Sequence, residues 1–159
     1  MSLALAEKHL AQFHVNERIQ LLNESSATVE EAANALNCEP ARIAKSLTFG
    51  VGDDAIMIVA AGDAKIDNKK FKEQFGVKAK MLAPEHVEQL VGHAVGGVCP
   101  FGVPQTVPIF LDASLKRFTT VFPACGTANS AIELTIAELE TFSNYRQWID
   151  IGKGWQLEV

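Results

Sequence analysis

The stretch Gly96-Gly97-Val98-Cys99-Pro100-Phe101-Gly102 is the most informative part of this chain. It places three glycines and a proline between the apolar residues 91–95 and the strand-like residues 107–112. Because glycine has no side chain, the backbone N–H and C=O groups of such a loop can approach a ligand closely, and proline fixes part of its shape. By itself the pattern predicts either a structural turn or a ligand-binding loop.

Two further segments, one on each side of this loop, belong to the same pattern. Ala44-Lys45-Ser46-Leu47 places a lysine at the start of a predicted strand. Phe122-Pro123-Ala124-Cys125-Gly126 leads through a turn into Ala131-Ile132-Glu133-Leu134-Thr135. In order and spacing over roughly residues 25–145, these elements resemble the YbaK/ProX family, free-standing relatives of the editing domain in bacterial prolyl-tRNA synthetases. The family loop reads Gly-x-x-x-Pro, which matches Gly96 to Pro100.

The resemblance implies a proofreading enzyme that acts in trans and hydrolyses the ester bond of a mischarged aminoacyl-tRNA. It implies catalytic roles for Lys45, Gly96, Gly97 and Pro100: the lysine holds the terminal nucleotide, and the loop positions the ester and its attacking water. A hydroxyl of the terminal ribose can orient this water, so no protein nucleophile is needed. The expected partners are the tRNA acceptor end and an aminoacyl-tRNA synthetase. The alternatives are a module of the same fold that grips either partner without turnover, and an unrelated small-molecule hydrolase.

The resemblance also suggests substrate-binding residues, namely Gly102 and the polar turn of Gly126, Thr127, Asn129 and Ser130. The turn residues could equally form an ordinary hairpin connection. The chain departs from the family branch that clears cysteine from proline tRNA. Ala131 stands where that branch has an aspartate, and Pro104 and Gln105 stand where lysines are common in it. These departures count against cysteine specificity and leave the edited amino acid open.

Three residues can be interpreted as having either a structural or a functional role. Lys45 carries a compact charge with three donors, which suits a phosphate, but an exposed lysine at a strand edge also deters aggregation. Cys99 lies inside the loop, yet a catalytic thiol needs a base or a lowered pKa, so we expect a small buried residue. Asp112 is expected to cap residues 114–118 rather than to act in catalysis.

The composition predicts a single domain over residues 1–159. The chain is 48% hydrophobic and 21% charged, which is typical of a folded globular protein and argues against disorder. No apolar run is long enough for a transmembrane helix, and the N-terminus lacks the pattern of a signal peptide. We therefore expect a cytoplasmic protein without a membrane partner.

The cysteines and histidines do not predict a metal site. Cys38, Cys99 and Cys125 are an odd number without Cys-x-x-Cys spacing, and the four histidines show no tight pairing with them. We expect no disulfide framework, no metal and no cofactor.

Charge is unevenly distributed. The net charge of −5 argues against broad nucleic-acid binding, but residues 65–80 carry six lysines against two carboxylates. Such a patch suits contact with one end of an RNA, and the alternative is a solvated lysine-rich helix face.

Hydrophobic periodicity predicts an α+β domain with a mixed, largely antiparallel sheet and flanking helices. Capping patterns begin helices at Thr28, Asp67 and Thr135, and Pro84 begins another. Strands are predicted around residues 45–49, 56–61, 94–99, 108–112, 119–123 and 131–135. Since the later strands follow one another without long helices, a doubly wound sheet is not expected. The family resemblance implies that the sheet is barrel-like.

Overall fold

Two long neighbouring strands form the centre of this computed structural model, which describes residues 2–156. They pair antiparallel over eight residue pairs, from Ala44↔Ala61 to Val51↔Asp54. The described strands are β1 (Gln20–Leu21), β2 (Ile43–Val51), β3 (Asp54–Ala61), β4 (Lys65–Ile66), β5 (Ile109–Asp112), β6 (Thr120–Pro123), β7 (Ser130–Ala131), β8 (Leu134–Thr135), β9 (Gln147–Ile149) and β10 (Gly152–Lys153).

Short helices flank these strands. The α-helices within residues 2–156 are α1 (Ser2–Ala11), α2 (Val29–Leu36), α3 (Asn68–Phe75), α4 (Pro84–Val91) and α5 (Ile136–Ser143). Three 3-10 helices cover Asn16–Arg18, Pro40–Arg42 and Ala113–Arg117. In the part of the chain that the structure describes, no helix has the length and apolar character needed to cross a membrane.

Six strands form one curled sheet in the order β8-β6-β2-β3-β5-β9. Two further pairs, β1 with β7 and β4 with β10, form small separate sheets. Of the seven strand pairings, four are antiparallel and three are parallel. The predicted α+β fold, with a mixed, barrel-like sheet and flanking helices, is confirmed. Antiparallel pairings predominate among all the described strands, but within the six-stranded sheet three of the five pairings are parallel. The sequence did not indicate which pairs would be parallel.

The apolar run of β3 is continuous because both faces of the strand are covered. Met57 and Val59 face the main core, which also contains Leu10 of α1. Ile58 faces a second cluster on the opposite side, against Phe71 of α3. A strand buried on both faces has no need for alternating polar residues, which is why this strand was recognisable in the sequence.

The predicted helix starts are confirmed. The Thr28 side chain accepts a hydrogen bond from Glu31 N at the start of α2, and Asp67 accepts from Lys69 N and Lys70 N at the start of α3. Thr135 and Glu138 form a reciprocal capping box at α5. These contacts satisfy backbone donors that the first helical turn leaves free, and they depend on neighbours in sequence.

Two of the predicted strands are wrong. Residues 94–99 form an irregular loop, in which Gly97 donates its N–H to Ala94 O at 3.0 Å and Gly96 has a φ of 100°. This local turn prevents the extended backbone that strand pairing requires. Residues 131–135 are divided between β7 and β8, which pair with different strands, β1 and β6.

Candidate active site

A cleft of about 540 Å³ opens beside β2. β2 pairs with β6 at Ile43 and Ala44, and beyond them β6 no longer follows this edge of β2. Further along, the segment before α4 returns to β2, where Leu82 donates its N–H to Thr48 O at 3.1 Å. The cleft therefore follows the open part of one edge of β2, while the other edge is fully paired with β3.

The cleft is mainly apolar and carries little charge. Its apolar lining includes Val29, Ala32, Leu36, Ile43, Val87 and Phe122. Among the described residues that line it, Lys45 is the one charged side chain. Residues 2–156 contain no group of three histidine, cysteine, aspartate or glutamate side chains arranged to hold a metal ion. An apolar cavity with a few convergent polar groups is typical of a site for a small organic ligand.

Lys45 lies half-buried in the cleft wall. Its Nζ donates to Gly62 O at 3.3 Å and to Ala64 O, which leaves one of its three donors for another partner. Burial lowers the pKa of this lysine from its ordinary value, and the charge of nearby Asp63 acts in the opposite direction. Because the side chain is half-buried and its ammonium bonds two backbone carbonyls, this is not the setting of an exposed strand-edge lysine.

Gly96 also lines the cleft, together with Val95 and Val98. Its φ of 100° is a conformation that residues with a side chain rarely adopt. A Cβ added at this position would meet Ala27 Cβ at 3.5 Å, which is an ordinary contact. The backbone conformation therefore requires glycine here, whereas steric crowding does not.

Gly97 faces away from the cleft and is buried. A Cβ at this position would lie 2.5 Å from Gly126 C and 2.5 Å from Thr127 N. The loop and the polar turn are thus in direct backbone contact. This packing requires a glycine at residue 97 whatever the role of the loop.

Pro100 and Gly102 lie at the far end of the loop. Pro100 is buried and lines a second cavity of about 360 Å³. Gly102 packs against the backbone of Leu5 in α1, and its N–H donates to His9 Nδ1 at 3.0 Å. The loop therefore runs from the cleft to a separate cavity.

The polar turn lines the cleft at one residue and is hydrogen-bonded to the segment that contains Leu22. Ser130 lines the cleft, and its Oγ accepts from the Thr127 hydroxyl at 2.7 Å. Asn129 O accepts from Leu22 N at 2.7 Å. Gly126 is buried against the backbone of Ser2, away from the cleft lining. The turn thus contributes one residue to the cleft, while others in it hold neighbouring segments in place.

Cys99 is fully buried, as predicted, and burial raises the pKa of its thiol to about 12. His93 Nε2 lies 3.5 Å from its Sγ, a proximity that the sequence did not reveal. The same nitrogen lies 2.6 Å from Phe101 O and donates its proton there, so it cannot accept the thiol proton. Burial also lowers the pKa of His93. The pair therefore lacks the chemistry of a thiolate nucleophile.

Asp112 is fully buried and acts as the predicted cap. Its Oδ2 accepts from Ser114 N at 3.0 Å, and its Oδ1 accepts from Ile151 N at 2.9 Å. The carboxylate joins the end of β5 to the segment before β10.

Ser26 and Ser46 line the cleft and were not predicted as site residues. The hydroxyls of both are buried without a partner among the described residues. Buried polar groups are normally hydrogen-bonded, so these two are suited to bond a ligand. Ser46 follows Lys45 in a strand, which places the two side chains on opposite faces of the sheet. Alternation therefore gave no reason to expect Ser46 in the same site as Lys45; both line the cleft because it follows the edge of β2, and Ser26 had no sequence signal either.

The lysine-rich segment 65–80 leads to the rim of the cleft. Lys80 precedes Met81, which lines the cleft and is 59% exposed. Lys70 forms an ion pair with Asp150 at 3.1 Å. The exposed lysines of this segment are Lys65, Lys69, Lys72, Lys78 and Lys80.

The chain is similar to editing proteins of the translation apparatus. Residues 23–142 match a family model described as an aminoacyl-tRNA editing domain. YwhH of Bacillus subtilis, described as uncharacterized, is 54% identical over 98% of this chain and 100% of its own length. The proline–tRNA ligase of Geobacillus sp. (strain WCH70) is 34% identical over 62% of the chain, which covers 17% of that enzyme.

Solved structures show the same fold. One is described as a candidate trans-editing enzyme for prolyl-tRNA synthetase; it superposes with a TM-score of 0.86, is 28% identical, and covers 96% of this chain and 98% of its own. Hypothetical protein APE2540 superposes with a TM-score of 0.78 at 22% identity over 91% of this chain and 99% of its own.

Proposed function

We infer that this chain, which belongs to the aminoacyl-tRNA editing domain family, is a trans-acting deacylase that hydrolyses the ester bond of a mischarged aminoacyl-tRNA. The observation that carries this proposal is the cleft beside β2, because Lys45 and Gly96 both line it although they are far apart in sequence. Its volume of about 540 Å³ lies in the range of sites for small organic ligands.

The reaction requires an attack by water on the ester carbonyl. The water oxygen bonds to the carbonyl carbon, the bond from that carbon to the ribose oxygen breaks, and the proton of the water passes to the ribose oxygen. Free amino acid and uncharged tRNA result. Negative charge develops on the carbonyl oxygen, and backbone N–H groups of a rigid loop can stabilise it. We assign this role to the loop at Gly96, which lines the cleft. Gly97, whose N–H donates to Ala94 O, and Pro100, which has no N–H, are assigned to holding the shape of this loop.

Lys45 is proposed to contact the phosphate of the terminal nucleotide. Its ammonium has one donor free after its bonds to Gly62 O and Ala64 O. Partial burial strengthens an electrostatic contact with a phosphate relative to the same contact in water. The apolar remainder of the cleft suits an uncharged side chain on the amino acid of the substrate.

The exposed lysines of residues 65–80 are proposed to contact the acceptor end of the RNA beyond its last nucleotide. The last of them, Lys80, directly precedes Met81, which lines the cleft. Contacts of this kind are electrostatic, so binding of tRNA should weaken as salt is added. A synthetase that supplies the mischarged tRNA is the expected protein partner, as the similarity to proline–tRNA ligases suggests.

A separate editing site has a physical reason. A synthetase distinguishes amino acids that differ by one methylene by about 1–3 kcal/mol, which is less than translation requires. A second site that hydrolyses the wrong product adds the missing discrimination.

The test is a deacylation assay over a panel of tRNAs, each charged with its cognate or a near-cognate amino acid. We expect the wild type to release one or a few mischarged amino acids and to leave cognate products intact. Lys45→Ala should lower the rate about 100-fold or more, as expected for loss of one preorganised charged contact. Lys8→Ala is the matched control, because Lys8 is an exposed lysine of α1 outside the cleft.

Two results would contradict the proposal. If the wild type binds uncharged tRNA but releases no amino acid from any charged tRNA, the chain is a binding module. If a folded Lys45→Ala variant deacylates at the rate of Lys8→Ala, Lys45 does not belong to the site.

A further inference from the structure

Asp63 lies in the turn whose backbone holds the proposed phosphate-binding lysine. Gly62 and Ala64, which flank it, supply the two carbonyl oxygens that accept from Lys45 Nζ. The charges of Asp63 and Lys45 influence each other's pKa. Within residues 2–156, however, Lys45 forms no ion pair within 4.0 Å.

Arg117 binds the Asp63 carboxylate instead. Its Nη2 donates to Asp63 Oδ1 at 2.5 Å and its Nη1 donates to Asp63 Oδ2 at 2.9 Å. A two-point contact of this kind holds a carboxylate in one orientation. The guanidinium is the main reason that the pKa of Asp63 lies below its ordinary value.

Arg117 is itself held rigidly. Its Nε donates to Ser114 O at 2.9 Å, and its guanidinium lies between two aromatic rings, 4.7 Å from the centre of Phe118 and 4.9 Å from that of Trp155. A guanidinium fixed on this many sides cannot easily follow a moving partner. Asp63 is therefore kept on the side of the turn that faces Arg117.

We propose that Arg117 is a positioning residue that occupies the Asp63 carboxylate and so keeps the Lys45 ammonium available for the phosphate of the substrate. Without Arg117, the free carboxylate would turn toward Lys45 and compete with the phosphate for the same donor. This inference rests on the proposed function in one respect, that Lys45 contacts the substrate.

The test is a double-mutant cycle on deacylation with Arg117→Met, Asp63→Asn and the double variant. Methionine keeps an aliphatic chain between the two rings, and asparagine keeps the shape of Asp63 without its charge. Arg117→Met should lower kcat/KM about tenfold, a coupling of the size that contacting charges show. Asp63→Asn should stay within about threefold of wild type, and the double variant should recover to a similar level.

Recovery of activity in the double variant distinguishes a positioning role of Arg117 from a purely structural one. If Arg117 only stabilises the fold through Ser114 and the two rings, the double variant will be as impaired as Arg117→Met, and the proposal is wrong. Wild-type activity in Arg117→Met would also overturn it. Thermal unfolding of all four proteins shows whether activity follows stability or the charge of residue 63.

A second measurement does not depend on the proposed function. The lysines are labelled biosynthetically with ¹³C, which leaves the ammonium donors intact, and the NMR signal of the Lys45 ε-carbon, identified by its loss in Lys45→Arg, is titrated with pH. The charged groups near Lys45 are Asp63, Glu30, Asp112 and Lys65. We expect the titration midpoint of Lys45 to be higher in Arg117→Met than in wild type. In the double variant the midpoint should return to the wild-type value.

The two measurements distinguish two failures. If no charged tRNA is deacylated but the midpoint moves as expected, the proposed function fails and the role of Arg117 stands. If the wild type is active and the midpoint stays in place in Arg117→Met, the role of Arg117 fails alone.

Discussion

Gly96 and Gly97 are neighbours in the sequence but lie in different surroundings. Gly96 lines the cleft with a φ of 100°, and a side chain there would meet ordinary contacts. Gly97 is buried with its α-carbon against the backbone of Gly126 and Thr127. One glycine leaves room beside a ligand site, and the other lets two backbone segments touch. A glycine motif in a sequence does not distinguish these uses.

The strongest test of this contrast is the same substitution at both positions. Gly97→Val should cost about 3 kcal/mol of unfolding free energy, at the upper end of overpacking effects, because the backbone of residues 126 and 127 must move. Gly96→Val should cost about 1–2 kcal/mol, the penalty for placing a side chain at positive φ. Chemical denaturation of both variants measures the difference. Equal losses would show that the two glycines share one environment.

The deacylation rate should reveal an effect at Gly96 that is separate from the loss of stability. Gly96→Val should lower deacylation about tenfold at a temperature where it remains folded, a change of about 1.4 kcal/mol in barrier height. Its side chain would enter the space proposed for the aminoacyl group. Binding of uncharged tRNA, which carries no amino acid, should change less. If Gly96→Val deacylates like wild type, or loses activity only by unfolding, the loop is a structural turn.

The contrast between cleft and packed regions extends to the serines. Ser46→Ala should raise KM about threefold to tenfold, the value of one hydrogen bond, if its hydroxyl bonds the substrate. Ser143→Ala is the matched control, because the Ser143 hydroxyl is also buried without a partner among the described residues but lines the second cavity instead of the cleft. Steady-state kinetics of both variants measure the two KM values. Equal KM values in the two variants would remove Ser46 from the site.

Cys99 should show the smallest effect, because it belongs to the packed part of the loop. Cys99→Ala should change deacylation by less than tenfold, which allows about 1.4 kcal/mol for disturbed packing. A thiol with a pKa of about 12 stays protonated at neutral pH, so the wild-type rate should show no thiol titration between pH 6 and 9. Capture of a covalent acyl-enzyme on Cys99 would contradict this assignment.

Local features of the fold were predictable because their causes are neighbours in sequence. Thr28 and Asp67 cap helices through donors two or three residues away. The run in β3 indicates burial through its own composition. The prediction of a strand at residues 94–99 was wrong for a related reason. Its apolar residues are typical of a strand, but a strand also needs a partner, and composition does not show whether one is present.

The sequence alone determined the fold class, the capped helices, the buried central strand and the resemblance to editing domains. All of these follow from local periodicity, capping chemistry or short motifs. Tertiary structure alone decided that β6 leaves β2 after Ala44, which opens the cleft, and that Arg117 meets Asp63 across 54 residues of chain. It also decided which glycine faces a cavity and which faces another backbone. Contacts between residues distant in sequence depend on how the whole sheet curls, and no local pattern records that geometry.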